Sequence, residues 1–240
     1  MPQKIRCKVK EIEDHGDHVY TVDLTPERTL PRFKPGQFLH LTLDDYDPSG
    51  FWPESRVFSI ASSPNSRNIL KISYSVRGRY TGRMENELHE GMSVWVKLPY
   101  GDFVIQDTSD VVLIAGGTGI TAFTAFLEHL TPEHNSTTYV FYGARNPDLL
   151  IYRDMIESQA KLNPKLKTFY FSEKISPETT AQQTHIIAGC LSIDTIWACL
   201  DNRHAAIYYI AGPYAMIKTI TFNLLTKKVA SDKIKIDSWE

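Results

Sequence analysis

The chain has 240 residues, of which 42% are hydrophobic and 22% are charged, and its formal net charge is −2. This length allows two modest domains or one large one, and the composition is that of a folded globular protein. Because no Lys/Arg-rich run occurs, the sequence gives no support for nucleic-acid binding or for a polybasic membrane patch.

The first hundred residues have the pattern of short β-strands. Strands are predicted at 4–14, 18–24, 36–43, 55–63, 68–78 and 92–101, separated by turn-prone segments. One helix is predicted at 81–91, because Met84 and Leu88 lie four residues apart and Gly91 can end it. Strands at this spacing predict an antiparallel barrel or sandwich.

After about residue 104 the pattern changes to alternating strands and helices. The predicted strands are 111–115, 138–142, 167–171, 207–211 and 233–236, and the predicted helices are 119–130, 149–161 and 213–227. This alternation predicts a doubly wound parallel sheet. We therefore predict two domains, an antiparallel β-barrel in residues 1–106 and an α/β domain in residues 107–240.

Two apolar stretches, 111–130 and 205–225, are long enough to cross a membrane. Each has glycine near its centre, which separates a strand-like run from a helix-like run. Since a buried parallel strand is apolar on both faces, we predict strand–turn–helix units and no membrane span.

The cysteines and histidines give no metal site. Cys7, Cys190 and Cys199 are too few and too widely spaced for a zinc site or an iron–sulfur cluster, and they predict reduced thiols in the cytoplasm. His15 and His18 lie in the segment DHGDH, which is more typical of a solvated turn than of metal ligands.

A glycine-rich turn follows the predicted strand at 111–115. Gly116, Gly117, Thr118 and Gly119 precede a helix, where main-chain N–H groups can approach a phosphate. A dinucleotide fingerprint also requires an acidic residue after the next strand, but this chain has the segment YGAR at 142–145. The residues alone leave open both a phosphate site and a tight structural turn.

A second turn of this kind follows the predicted strand at 207–211. Gly212 precedes Pro213, which suits the first turn of a helix. Because parallel strands end at the same edge of a sheet, both turns are expected to line one crevice. Taken alone, this turn is equally compatible with a simple break between strand and helix.

The strand at 55–63 places a cation, a ring and a hydroxyl close together. Arg56 can hold a pyrophosphate, Phe58 can lie against a flat ring, and Ser59 can donate to a ring nitrogen. An ordinary β-hairpin is the alternative. Gly78 and Thr81, at the start of the predicted helix, add an anion-binding helix start in the same domain.

Together these segments resemble the ferredoxin–NADP reductase-like flavoprotein superfamily over essentially the whole chain. Its R-x-Y-S/T motif is matched by Arg56-Val57-Phe58-Ser59, and its G-x-x-S/T motif by Gly78-Arg79-Tyr80-Thr81. Its P-x-G, G-G-T-G-I-T-P, Y-G-x-R and C-G-P-x-x-M patterns are matched, in that order, by residues 99–101, 116–122, 142–145 and 211–216.

The resemblance implies an NAD(P)H-dependent flavoprotein reductase that binds FAD on the barrel and NADH or NADPH on the α/β domain. Ser59 would lie beside flavin N5 and is the expected catalytic residue. The other implied flavin contacts are Arg56, Val57, Phe58, Tyr74, Ser75, Val76, Gly78, Tyr80, Thr81 and Trp239. The dinucleotide would contact Gly116, Gly117, Thr118, Gly119, Arg145, Gly212, Pro213 and Met216.

Besides Ala122, which stands for the proline of G-G-T-G-I-T-P, three departures from the superfamily pattern matter. Phe58 stands for tyrosine, Ala211 for cysteine, and the C-terminal E-x-F-x-G-Y pattern survives only as residues 237–240. A place for Trp239 near the flavin and a simple frayed chain end therefore both stay open. For the choice of coenzyme, Arg145 and Lys174 favour NADPH, whereas Glu173 favours NADH, and we expect a slight preference for NADH.

The electron acceptor is expected to be a separate protein or small molecule, because the sequence has no fused ferredoxin, haem or oxygenase domain. Ferredoxin, flavodoxin, a cytochrome, free flavin and a quinone all stay open. The alternatives to a free enzyme are an electron-transfer subunit of a larger complex and a non-catalytic flavin- or nucleotide-binding module.

Overall fold

The computed structural model describes residues 2–106, 108–131, 136–174 and 186–237. The chain divides into two compact units. The first runs to Val104 and also contains Thr121–Phe126, and the second contains Ile105–Ile120 and the chain from Leu127 onward. The predicted domain boundary after residue 106 remains a prediction.

The first unit contains a six-stranded antiparallel sheet. Its strands are β1 (Gln3–Asp14), β2 (Val19–Pro26), β3 (Phe38–Thr42), β4 (Arg56–Ser59), β5 (Leu70–Ser75) and β6 (Ser93–Tyr100). Their order is β4-β3-β6-β1-β2-β5. Just beyond the end of β4, the Ala61 amide donates to the Lys71 carbonyl on β5 at 2.9 Å, so the sheet nearly closes. The predicted antiparallel barrel is confirmed.

The barrel core follows from alternation along its strands. In β1, Ile5, Cys7 and Val9 are buried, and the side chains between them point outward. Helix α1 (Arg79–Glu87) contributes Tyr80 and Met84, which are four residues apart and both buried.

Helix α1 differs from its predicted bounds at both ends. It begins two residues earlier than predicted and ends before Leu88, because Tyr80 and Met84 are the residues that anchor it in the core. Thr81 therefore lies inside the first helical turn, two residues after the helix begins, and Gly78 precedes the helix. Gly91 lies beyond the helix with φ +85°.

The second unit contains a parallel sheet of six strands. They are β7 (Val111–Gly116), β8 (Thr138–Ala144), β9 (Leu166–Ser172), β10 (Ile186–Ala188), β11 (Ile207–Ala211) and β12 (Ile234–Asp237). The helices are α2 (Thr121–Leu127), α3 (Arg153–Leu162), α4 (Ile193–Cys199) and α5 (Tyr214–Thr226). The predicted doubly wound fold is confirmed.

The sheet order is β10-β9-β8-β7-β11-β12. The chain winds outward from β7 through β8, β9 and β10, then returns to the other side of β7 with β11 and β12. The point where the winding direction changes therefore lies between β7 and β11. In open α/β sheets, ligands bind outside the carboxyl ends of the strands at this point.

Several predicted bounds differ in detail. The predicted helix at 119–130 is a 3₁₀ turn (Gly117–Ile120) followed by α2, and that at 149–161 is a 3₁₀ turn (Pro147–Leu149) followed by α3. Pro213 caps α5 with ψ 137°, so its predicted place in the first helical turn is wrong. Among the described residues, no helix is long and apolar enough to cross a membrane.

Candidate functional site

Strand β4 places its three chemically distinctive side chains on two faces. Arg56 pairs with Leu41 and Phe58 pairs with Leu39, and both leucines are buried in the barrel core. Because strand side chains alternate, Arg56 and Phe58 share one face and Ser59 lies on the other. The structure thus brings the cation and the ring together, with the hydroxyl across the strand from them.

Arg56 is held over an aromatic ring. Its guanidinium carbon lies 5.2 Å from the centroid of Tyr80, and its Nη1 donates to the Ser55 carbonyl at 3.1 Å. The Tyr80 ring is itself fixed, since its hydroxyl donates to the Leu41 carbonyl at 3.0 Å and accepts from the Leu43 amide at 3.2 Å. The ring therefore orients an exposed cation by a cation–π contact.

No acid of the described residues neutralises the charge of Arg56. Within the described ranges its guanidinium makes no ion pair with a carboxylate. An exposed, oriented guanidinium of this kind suits a phosphate group. The Tyr80 hydroxyl already bonds with two backbone groups, and the predicted contact of Tyr80 with a cofactor stays a prediction.

The start of helix α1 lies in the same unit. Thr81 Oγ1 accepts from the amides of Arg77 at 2.9 Å and Gly78 at 3.1 Å, so this hydroxyl stabilises the turn into the helix. The first-turn amides of residues 79–81 have no acceptor within the helix and point toward its N-terminal end. These amides are donors for an anion.

The surface at this helix start has room for a ligand. A Cβ atom added at Gly78 or at Gly82 would meet no other atom within 4 Å. An oriented guanidinium, first-turn amides and open space together fit the pyrophosphate of FAD.

The aromatic residues of β5 support Phe58. Tyr74 is buried, its ring lies 6.1 Å from that of Phe58, and it stacks on Tyr20 at 5.4 Å. Burial raises the pKa of Tyr74 well above its usual range. Of the neighbouring predicted contacts, Ser75 Oγ accepts from Arg77 Nε at 3.2 Å, and the Val76 amide donates to the His18 carbonyl at 2.9 Å.

The glycines after β7 and β11 allow two turns to pack backbone against backbone. A Cβ at Gly119 would lie 2.5 Å from the Ala211 carbonyl oxygen, and one at Gly116 would lie 2.7 Å from Met216 Sδ. Gly212 has φ +143°, and a Cβ there would lie 2.9 Å from the Gly116 amide nitrogen. The structural explanation left open by the sequence therefore applies to these three glycines.

Gly117 is different from its neighbours. It has φ +54°, and a Cβ added there would meet nothing within 4 Å, so packing does not require its small size. Gly117 and Thr118 are half-buried and lie in the turn at the carboxyl end of β7, where the winding direction changes. This is where a phosphate of the dinucleotide can approach main-chain donors.

Charged residues follow β8 and β9 at the same edge of the sheet. The Lys174 amide donates to the Arg145 carbonyl at 2.9 Å, so these two exposed residues lie side by side. The Glu173 side chain lies against the thiol of Cys190. Burial, together with the negative charge of Glu173, raises the pKa of that thiol. Two cations are thus neighbours at the strand ends, while the acid faces a cysteine.

The last two predictions concern Trp239 and the histidines of the segment DHGDH. Trp239 lies outside the described residues. His18 bonds through Nδ1 to Glu85 Oε1 at 2.7 Å, and His15 bonds through Nε2 to Thr21 Oγ1 at 2.9 Å. Within the described ranges, no three His, Cys, Asp or Glu side chains are grouped as metal ligands.

Known proteins that are similar in sequence indicate the family of this chain. The profile of the oxidoreductase NAD-binding domain matches residues 113–221. The chain is 31% identical over 247 residues to the NAD(P)H-flavin reductase of Vibrio harveyi, covering 98% of both. It is 28% identical over 236 residues to the NAD(P)H-flavin reductase of Aliivibrio fischeri, covering 94% of both.

Among solved structures, the fold is similar to that of the flavohem-like FAD/NAD-binding domain of nitric oxide dioxygenase from Vibrio cholerae. The TM-score is 0.81 at 18% sequence identity, and 97% of each chain is covered. At this identity the likeness shows a shared fold.

Proposed function

The chain belongs to the ferredoxin–NADP reductase-like superfamily of flavoproteins. On that premise we propose that it is a reductase that uses NADH or NADPH to reduce a separate acceptor. The observation that carries the proposal is Arg56, held over the Tyr80 ring in the same unit as the open first turn of α1. This donor set suits the pyrophosphate of FAD.

Bound FAD supplies chemistry that side chains lack, because it can accept a hydride and then release the two electrons singly. We assign Arg56 and the first turn of α1 to its pyrophosphate. Phe58 then packs against the flat ring system, and Tyr74 supports Phe58 from behind. We assign Ser59, at the end of β4, the catalytic role of donating a hydrogen bond to the flavin ring where the hydride arrives.

The dinucleotide is assigned to the turns after β7 and β11. Gly117 and Thr118 offer main-chain donors at the point where the sheet changes winding direction. Pro213 and Met216 pack around Gly116 and hold the second turn beside the first. Arg145 and Lys174 lie farther along the same edge, where two adjacent cations suit a phosphate on the adenosine end of NADPH.

For the acceptor we propose free flavin, used in the cytoplasm. The relatives from Vibrio harveyi and Aliivibrio fischeri, which match over nearly their whole length, are named NAD(P)H-flavin reductases. The three free cysteines support a reducing compartment.

The test is a visible absorption spectrum of the purified protein with FAD under argon, before and after one equivalent of NADH or NADPH. We expect a flavin band that bleaches, followed by reduction of added FMN or riboflavin in excess over the protein. A bleached band without reduction of free flavin would contradict the acceptor proposal alone. A protein that binds no flavin would contradict the reductase proposal itself.

A further inference from the structure

The connection between β3 and β4 is unusually long for two neighbouring antiparallel strands. It comprises residues 43–55, whereas such strands are commonly joined by about two to five residues. Ordered loops of this length inside a compact domain are usually functional. We call residues 43–55 the β3–β4 loop.

Both ends of the β3–β4 loop are fastened to helix α1. Asp44 Oδ1 accepts from Arg83 Nη2 at 2.6 Å, and Glu54 Oε1 accepts from Arg79 Nη2 at 2.7 Å. The Tyr80 hydroxyl also lies 3.4 Å from the Glu54 carbonyl oxygen. The loop is therefore held against the helix whose first turn we assign to the FAD pyrophosphate.

A tight turn fixes the chain just before the tip of the loop. Asp47 Oδ1 accepts from both the amide of Ser49 at 2.8 Å and its Oγ at 2.7 Å. The Gly50 amide donates to the Asp47 carbonyl at 2.9 Å. This hydrogen bonding orders the backbone that leads into Phe51.

The residue after Phe51 is fixed as well. Trp52 Nε1 donates to Ser55 Oγ at 3.0 Å, and the Trp52 ring packs on that of Tyr46 at 5.3 Å between centroids. Phe51, between these two ordered segments, is 99% exposed. An ordered backbone thus presents an aromatic ring that is not buried against any part of the described chain.

The chemistry of the neighbouring groups indicates what covers this ring. Phe51 precedes Arg56 by five residues, so their Cα atoms are at most about 17 Å apart. FAD is FMN joined to adenosine monophosphate, whose phosphate forms one half of the pyrophosphate, so that adenosine extends beyond it. Adenine has a flat π-face that stacks well on aromatic side chains. A ring that is carried on an ordered backbone costs less conformational entropy when it stacks on a ligand than one on a mobile loop.

We propose that Phe51 stacks on the adenine of FAD and makes the flavin site selective for FAD over FMN. This inference rests on the proposed function, because it requires the flavin pyrophosphate to lie at Arg56 and the first turn of α1. It assigns the β3–β4 loop to the half of the cofactor that takes no part in hydride transfer.

The test is isothermal titration calorimetry of FAD and of FMN with the wild-type apoprotein and with F51A. We expect the Kd for FAD to rise about tenfold in F51A, which corresponds to about 1.4 kcal/mol, and the Kd for FMN to stay unchanged. F51W, which keeps a ring, should retain FAD affinity. F222A is the matched control, since Phe222 is 69% exposed on α5 in the other unit; it should change neither Kd.

The outcomes separate this inference from the function on which it rests. A wild-type protein that binds FAD, with unchanged FAD affinity in F51A or equal losses for FAD and FMN, would overturn the inference and leave the reductase proposal intact. An F51A variant in which only turnover with an acceptor changes would also overturn the inference and leave the reductase proposal intact. A wild-type protein that binds neither flavin would overturn both.

Discussion

Ser59 ends β4 opposite Phe38, on the face away from Arg56 and Phe58. Its hydroxyl is assigned to the reacting edge of the flavin, whereas Arg56 is assigned to the pyrophosphate. The two residues of one short strand are therefore expected to affect different properties, catalysis for Ser59 and affinity for Arg56.

We predict that S59A slows hydride transfer by about a hundredfold, because a preorganised hydrogen-bond donor at the reacting atoms is removed. The FAD affinity should stay close to that of the wild type. Stopped-flow measurement of flavin bleaching by NADH under argon gives the rate, and a parallel titration gives the affinity. S66A, at an exposed serine of the same unit, is the control. A wild-type rate in S59A with FAD bound would refute the catalytic assignment.

At the residue scale, the sequence predicted the candidate groups of β4 but not what orients them. Arg56 and Phe58 followed from a motif of four consecutive residues. The support for Arg56 comes from Tyr80, whose hydroxyl is fixed by backbone groups of Leu41 and Leu43. Those contacts join residues almost forty positions apart, and no local pattern indicates them. Phe51 is similar, because its setting depends on side chains of α1 that tie down the loop.

At the scale of elements, the turns after β7 and β11 depend on each other. Gly119 faces the Ala211 carbonyl and the Gly212 amide of the second turn, with no room for a side chain between them. These contacts are between backbone atoms, which cannot move aside as a flexible side chain can. The carboxyl ends of β7 and β11 are therefore joined by main-chain packing.

We predict that G119A lowers the free energy of unfolding by roughly 1–3 kcal/mol, because the added Cβ overlaps backbone atoms at 2.5–2.6 Å. Urea unfolding followed by circular dichroism measures this. G82A is the matched control: a Cβ at Gly82 in α1 meets nothing within 4 Å, and alanine favours the helix by up to about 1 kcal/mol. Equal stability of G119A and the wild type would contradict the close packing of the turns.

Elements with strong patterns were predicted and weak ones were not. The buried run of β7 and the alternation in β1 have few other interpretations, and both strands form as expected. Strand β10 (Ile186–Ala188) has only three residues, which is too short a run to give a periodic pattern. Helix α4, at Ile193–Cys199, is only two turns long and was missed for the same reason. The start of α1 was placed too late, because the apolar pair Met84 and Leu88 concealed the real pair, Tyr80 and Met84.

At the scale of the whole molecule, each compact unit has its own thiol reporter. Cys7 lies in the barrel core with no exposed surface, and burial raises its pKa to about 12. Cys190 is exposed and Cys199 is half-buried, and both belong to the second unit. Since the thiolate is the reactive form, burial and a raised pKa both protect Cys7 from thiol reagents.

We predict that a disulfide reagent at pH 8 labels Cys190 first and Cys199 more slowly, while Cys7 reacts only when the barrel unfolds. FAD should extend the protection of Cys7, because a ligand at 100 times its Kd that binds only the folded state stabilises it by about 2.7 kcal/mol. Mass spectrometry of labelled peptides at increasing urea identifies each thiol, and C7A confirms the assignment. Rapid labelling of Cys7 without urea would contradict its burial in the barrel core, and protection unchanged by FAD would contradict the assignment of the flavin to the barrel.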